Sequence, residues 1–269
     1  MTSLSLAGQF ELRPTADAEV RESNAMERRG DPSQGTWHTE LSIRSNENKF
    51  CYIEFDLVPL AGKTIRSADL RLTVRHEGVW PANAGGIRVY AFKTTPTWNE
   101  ETIFYRDLAV HDNAEPKRTL THPDNAPGLL ADYQKNWSPP PTCLPINEVD
   151  TFDVKLDGVV FLGFLNYDKP TADRPALTAG DVISFTDSAH ETAKPENDKN
   201  REALVEFLNG MVRKSRGRVT LLLTSKYEGD PGTVSRSNMV MASREFDPDG
   251  AGPLPIGAWA PKLIVTTGE

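Results

Sequence analysis

Residues 50–74 read FCYIEFDLVPLAGKTIRSADLRLTV, and their apolar positions alternate in two runs. In the first, Cys51, Ile53, Phe55 and Leu57 fall on one side, with Tyr52, Glu54 and Asp56 on the other. A period of two belongs to a half-buried strand. The second run repeats it: Ala68, Leu70, Leu72 and Val74 can face a core while Asp69, Arg71 and Thr73 face solvent or a second layer. Pro59 and Gly62 lie between the runs, where a missing amide proton and a permissive backbone do least harm. The pattern predicts two antiparallel strands in a hairpin-like unit.

Similar runs recur as TELSI (39–43), IRVYAF (87–92), GVVFLGFL (158–165), DVISFT (181–186), RVTLLLT (218–224), NMVMA (238–242) and KLIVT (262–266). So many short strands separated by turn formers predict an all-β fold, a jelly-roll-like β-sandwich. One segment departs from the period. NREALVEFLNGMVRKS (200–215) sets Leu204, Phe207, Leu208, Met211 and Val212 on one helical face, with cations near its end to complement the macrodipole. It predicts a single amphipathic helix capping one end of the sandwich. Two stretches rich in turn formers and charge, about 105–151 and 187–200, read as long loop insertions, which in compact domains are usually functional or mobile. With no internal repeat to divide it, the chain of 269 residues reads as one domain, 1–269, with insertions.

Charge narrows the partners. Against 38 acidic residues stand 30 Lys and Arg, a formal net charge of -8, with no basic run dense enough to neutralise successive phosphates, so nucleic acid is not an expected partner. No window has the apolar length of a membrane span, so membrane insertion is not expected, and MTSLSLAGQF lacks the basic and apolar regions of a signal peptide. The chain is read as cytosolic, or as a mature or excised piece of a secreted protein. Cys51 and Cys143 fit one disulfide, but an inward-facing strand cysteine reads first as a small buried hydrophobe.

Several pieces occur in a telling order: ADAEVR (16–21), LSIRSNENKFCYIEFDLVPLAGKTIRSADLRLTV (41–74), VYAF followed by TWNEET (89–102), FLNGMVRKSRGRVTLLLTS (207–225), ASRE (242–245) and APKLIVT (260–266). Together they resemble the DNRLRE-type domain, a family related to the carbohydrate-binding modules found beside alginate lyases and other polysaccharide-active enzymes. The resemblance spans both ends of the chain. It implies a jelly-roll-like sandwich, located outside the cell or at its surface, joined covalently to a catalytic or surface domain, with a polysaccharide as partner. Trp98 and Asn99 depart from the family's usual short turn to a proline by leading into EETIFYRDLAVHD, and both insertions lengthen the minimal module.

The candidate chemistry follows. Sugar rings stack on aromatic planes, with polar groups bonding the hydroxyls. Trp37, Trp80 and Trp137 lie in loop-like sequence and are the stacking candidates, each equally readable as a loop anchor, while Trp98 and Trp259 read as structural. If the polysaccharide is acidic, guanidinium groups can grip its carboxylates. Arg71, Arg75 and Arg236 are the candidates, with Arg44 beside them, against the reading of a solvated outer face. Arg244 and Glu245 read as a structural ion pair locking terminal strands. Asp247 and Asp249 of FDPDGAG, joined by Asp17, form a candidate structural calcium site, although Asp-Pro-Asp-Gly is also an ordinary turn.

No GxSxG, HExxH, P-loop or CxxC pattern occurs. The alternative to pure binding is a polysaccharide lyase or glycoside hydrolase built on the 105–151 insertion, where Tyr105, Arg106, His111 and His122 can supply acid, base and carboxylate neutralisation. A structural or adhesive surface module is the second alternative. The leading reading is non-catalytic binding of a polysaccharide, with an acidic, uronate-containing one as the expected ligand.

Overall fold

The computed structural model describes residues 8–21, 30, 32–34, 36–44, 49–79, 86–93, 98–101, 159–166, 177–187, 194–225, 238–248 and 257–268. Its strands in chain order are β1 (Gly8–Leu12), β2 (Pro14–Arg21), β3 (Glu40–Arg44), β4 (Lys49–Asp56), β5 (Thr64–Val79), β6 (Gly86–Phe92), β7 (Val159–Asn166), β8 (Val182–Ser184), β9 (Arg218–Ser225), β10 (Asn238–Ala242) and β11 (Lys262–Gly268). Among the described residues one α-helix, α1 (Lys194–Arg213), stands between β8 and β9 in the chain.

Two antiparallel sheets make an all-β sandwich. One has the order β1-β11-β5-β10-β3, with β8 added to β5; the other runs β2-β4-β9-β6-β7. Their facing sides meet in one core. Cys51, Ile53 and Phe55 of β4, Val219, Leu221 and Leu223 of β9, and Ile87, Val89 and Ala91 of β6 pack against Ala68, Leu70, Leu72 and Val74 of β5 and Leu263 and Val265 of β11. The inward set read from the alternation is therefore the core set.

The hairpin is not formed. β4 pairs with β2 and β9, whereas β5 pairs with β11, β10 and β8, so the two runs lie in opposite sheets. The connection explains why. Leu57, just before a 3₁₀ turn at Val58–Leu60, and Leu60, its last residue, are both buried, and the Leu57 amide donates to the Gly217 carbonyl at 2.8 Å. Apolar anchors at the bend carry the chain across the core instead of folding it back beside β4. Alternation reports which side of a strand is buried, and a hairpin and an arch bury the same residues.

Helix α1 begins earlier than the apolar face predicted, at Lys194, so part of the expected 187–200 loop is its first turns. Leu204, Leu208 and Met211 enter the core, with Phe207 and Val212 packed at its margin. The helix spans both layers, touching β5 of one sheet and β7 of the other. Two amides fasten it. Asn209 Oδ1 accepts the Ile65 N–H and its Nδ2 donates to the Ile65 carbonyl, both at 2.9 Å, so a side chain completes the start of β5 as a neighbouring strand would. Asn200 Nδ2 donates to the carbonyls of Phe164 and Phe185 at 2.8 Å each. The helix closes where Ser215 takes φ +52° and the Arg216 amide reaches the Met211 carbonyl.

The 105–151 insertion lies outside the described residues. Among the described residues no helix is long and apolar enough to cross a membrane.

Candidate functional site

Because β4 and β5 belong to different sheets, their outward residues point to opposite sides of the molecule. Tyr52 and Glu54 line the outer face of the five-stranded sheet, Arg71 and Thr73 that of the six-stranded one. A ligand cannot meet all four.

The outer face of the five-stranded sheet is filled with aromatic and apolar side chains. Register sets Ala18, Tyr52, Leu222, Tyr90 and Phe161 in one row across β2, β4, β9, β6 and β7. Tyr52 is 1% exposed, with Phe92 at 5.9 Å and Trp98 at 5.6 Å between ring centroids. Trp98 donates its indole N–H to Thr220 Oγ1 at 3.3 Å, so it packs structurally as anticipated, on an outer face and not between the sheets. Phe161, packed between Tyr90 and Phe164, is the large aromatic in this row that keeps substantial exposure. Burial drives the Tyr90 hydroxyl to a higher pKa, against the opposing charge of Arg88.

The other outer face is polar and carries cations. Arg71 of β5 sits directly opposite Lys262 of β11 in register, with Ser184 of β8 on its other side. Like charges placed opposite one another on adjacent strands destabilise a sheet. Arg71 is 44% exposed at its side chain and bonds Asp69 Oδ2 through Nε at 2.8 Å. Lys262 reaches Glu11 at 3.8 Å, and Glu11 also holds Arg13 at 2.6 Å. Asp69 itself is buried under donors from Ser184 and Thr186. Thr73 is buried beneath β8, opposite the exposed Val182.

Arg75, two residues further along β5, is a packed group and not an open cation. Its Nη1 lies 2.7 Å from Glu40 and 2.7 Å from Thr39 Oγ1, and its guanidinium covers the Phe246 ring at 4.5 Å. Burial lowers its pKa, with Glu40 acting against that. Phe246 meets Trp259 at 5.4 Å, which places Trp259 in a structural cluster, as anticipated. The 3₁₀ turn Thr36–Thr39 that carries Trp37 adjoins this cluster through Thr39.

A second group of charges joins the two sheets. Arg244, in the turn after β10, bonds Glu245 Oε1 at 2.6 Å through Nε and Glu100 Oε1 at 2.7 Å through Nη2, and its Nη1 donates to the Thr15 carbonyl. The expected Arg244–Glu245 pair is thus present and extends to β2. Asp17 Oδ2 accepts the Arg244 amide at 2.7 Å, while the Asp17 amide donates to Glu100 Oε2 at 3.0 Å. Asp17 is 2% exposed, and among the described residues its Oδ1 has no hydrogen-bond partner. Burial, with the charge of Glu245 nearby, raises the Asp17 pKa well above the usual carboxylate range. The same two causes lift Glu100 to about 7, against the pull of Arg244.

Two carboxyls on the Arg244 guanidinium and a third on its backbone amide form a clasp whose backbone is packed tightly. A Cβ on Gly257 would lie 1.7 Å from the Phe246 carbonyl oxygen, and one on Gly30 would lie 2.1 Å from that of Glu100. Asp17 is therefore engaged with Arg244. Asp247 is partly buried, and Asp249 lies outside the described residues. Among the described residues no group of His, Cys, Asp and Glu side chains is placed to hold a metal ion. Cys51 is a buried thiol whose Sγ lies 3.5 Å from the Ser42 carbonyl, and Cys143 lies outside the described residues.

Trp80, Trp137, Arg236, Tyr105, Arg106, His111 and His122 also lie outside them. Of the predicted ligand residues with described side chains, Arg71 stands on an exposed face and Arg75 does not. Lys262, Asp69, Asp17's partner Glu100 and the pairing of Arg71 with Lys262 were not anticipated. Lys262 heads the KLIVT alternation on its outward side, which marked it as exposed but not as a neighbour of Arg71. No family model matches the chain, and no curated protein matches it.

Proposed function

We propose that this sandwich is a non-catalytic module that binds an acidic, uronate-containing polysaccharide across the outer face of its six-stranded sheet. The observation that carries the reading is the facing pair Arg71 and Lys262, two cations held side by side on a protein of net negative charge. A fold gains nothing from opposing like charges on neighbouring strands. A polyanion laid across them gains an ion pair from each, and the arginine adds the planar geometry that suits a carboxylate. The resemblance to DNRLRE-type domains agrees with this assignment, and with a jelly-roll-like path, a location outside the cell and a covalently attached catalytic or surface domain.

Affinity electrophoresis through alginate, polygalacturonate, hyaluronan and a neutral glucan tests the reading, with each mixture scored for reducing ends and for ultraviolet-absorbing unsaturated products. The uronate gels retard the protein, the neutral glucan does not, and no product forms. Arg71→Ala weakens binding about tenfold, the order expected for losing a charge-assisted contact. Migration unaffected by every acidic polymer overturns the proposal, and accumulating unsaturated product replaces it with the lyase alternative.

A further inference from the structure

We propose that Asp69 is a positioning residue for this binding face: it holds Arg71 by one nitrogen so that the far end of the guanidinium is presented to a ligand carboxylate. The inference rests on the polysaccharide-binding reading above. Asp69 and Arg71 are two apart on β5 and so share one face of the strand. Asp69 Oδ2 accepts Arg71 Nε at 2.8 Å and Ser184 Oγ at 2.9 Å. Ser184 Oγ lies 2.8 Å from Oδ1 as well, so its one proton is shared between the two oxygens; Oδ1 also accepts the Thr186 amide at 2.9 Å, and Thr186 Oγ1 divides its proton between Oδ1 and the Ala68 carbonyl, each at 3.0 Å. A carboxylate gripped from several directions cannot swing, and what it bonds is held with it.

The donor arithmetic then defines the ligand. A guanidinium offers a carboxylate two parallel N–H bonds from either of two edges, one containing Nε and one made by the two terminal nitrogens. With Nε taken, the terminal edge remains, and among the described residues no partner occupies it. Lys262, a point charge across the strand, adds attraction without direction. The arrangement fits a planar carboxylate, and a uronate sugar supplies one per residue. The role of β8 follows as well: this three-residue strand delivers Ser184 beside Arg71 and Thr186 just beyond, so its seating on β5 sets the direction of Arg71.

Asp69→Asn separates positioning from charge, because the two predict opposite signs. Were Asp69 only a negative charge beside an anion site, removing it would tighten polyuronate binding. As a positioning residue its loss weakens binding about fivefold while leaving the salt dependence nearly unchanged, since both cations remain. Arg71→Lys keeps the charge and removes the fork, and it is weakened to a similar degree. In the ligand-free wild type, nitrogen-detected NMR shows the Arg71 Nε proton exchanging slowly, and Asp69→Asn removes that protection.

Equal or tighter binding by Asp69→Asn overturns the positioning role and leaves the proposed function standing. No binding of any polyuronate by the wild type overturns both. If Asp69→Asn does not fold, Arg71→Lys and the wild-type exchange rate decide. Exchange of the Nε proton at the rate of a free guanidinium, or Arg71→Lys binding like wild type, refutes the role.

Discussion

Replacing Glu100 by Gln changes how stability depends on pH, and the sign follows from the clasp. In the unfolded chain this carboxyl titrates near 4.5; in the folded protein burial and the neighbouring Glu245 lift it to about 7. Between those values the folded protein keeps a proton that the unfolded chain has released. Stability conferred by the neutral carboxyl is thus complete below about 4.5 and declines as pH rises to about 7. At about 1.36 kcal/mol per pH unit, that rise corresponds to a ceiling of about 3 kcal/mol. The Glu100 side chain keeps 16% of its exposure, so water screens part of this and about 2 kcal/mol is the working figure.

Glutamine cannot ionise, so the Glu100 contribution to the slope vanishes in the variant. It also changes the absolute level. Both Glu100 oxygens accept bonds, from Arg244 Nη2 and from the Asp17 amide, and an amide can serve only one of these donors. The lost bond costs about 1 kcal/mol at every pH. Urea unfolding of both proteins from pH 4 to 8 separates the terms. Wild type minus variant falls by about 2 kcal/mol across the window, with wild type the more stable at pH 4 and the variant overtaking it by pH 8. A difference that stays flat across the range refutes the account, and so does one that grows with pH.

Two further substitutions test how the sandwich is held. Asn209→Leu strips the Ile65 amide and carbonyl of their half-buried side-chain partner and lowers stability by about 2 kcal/mol, with faster hydrogen exchange at the Ile65 amide as its local signature; exchange unchanged there would deny the docking role. Gly257→Ala drives a methyl into the Phe246 backbone, destabilising the fold by about 3 kcal/mol, and a melting temperature equal to wild type would show that this turn is not packed as described.

The strands were legible because each buries one side of its pleat, and burial writes itself into alternation. Every run read as a strand contains one, although DVISFT forms only Val182–Ser184 because Phe185 turns into the core and Thr186 caps Asp69. The hairpin expected over residues 50–74 gives way to other pairings because the partners of β4 lie far from it in the chain. Nothing between Asp56 and Thr64 states that β4 will lie between β2 and β9. The same distance hid the charged groups. Arg244 meets Thr15 and Glu100 across 229 and 144 residues, and Lys262 meets Arg71 through a strand at the other end of the chain. Arg71 could be marked as outward from its own strand, but its cationic neighbour and the carboxylate that holds it emerged only from the register.

The crossing from β4 to β5 also decides which face can serve a ligand. Had the two strands paired, Tyr52, Glu54, Arg71 and Thr73 would have shared one surface, mixing an aromatic ring with a guanidinium as a sugar site wants. The arch divides them, and the two faces then differ in kind. On the five-stranded side Tyr52, Tyr90, Phe92 and Leu222 are already buried, so among the described residues the aromatic surface left to cover is that of Phe161 and the half-buried Phe164 and Trp98. On the six-stranded side Arg71 and Lys262 remain partly open to solvent while their strands are fully paired. Rings that are already buried have little left to gain from a ligand, whereas Arg71 and Lys262, each with one carboxylate neighbour, keep exposed donors that a further carboxylate can use. The proposed function therefore places its polyanion on the six-stranded face, where the core beneath Arg71, formed by Leu70, Leu72 and Leu263, gives the strands a fixed backing.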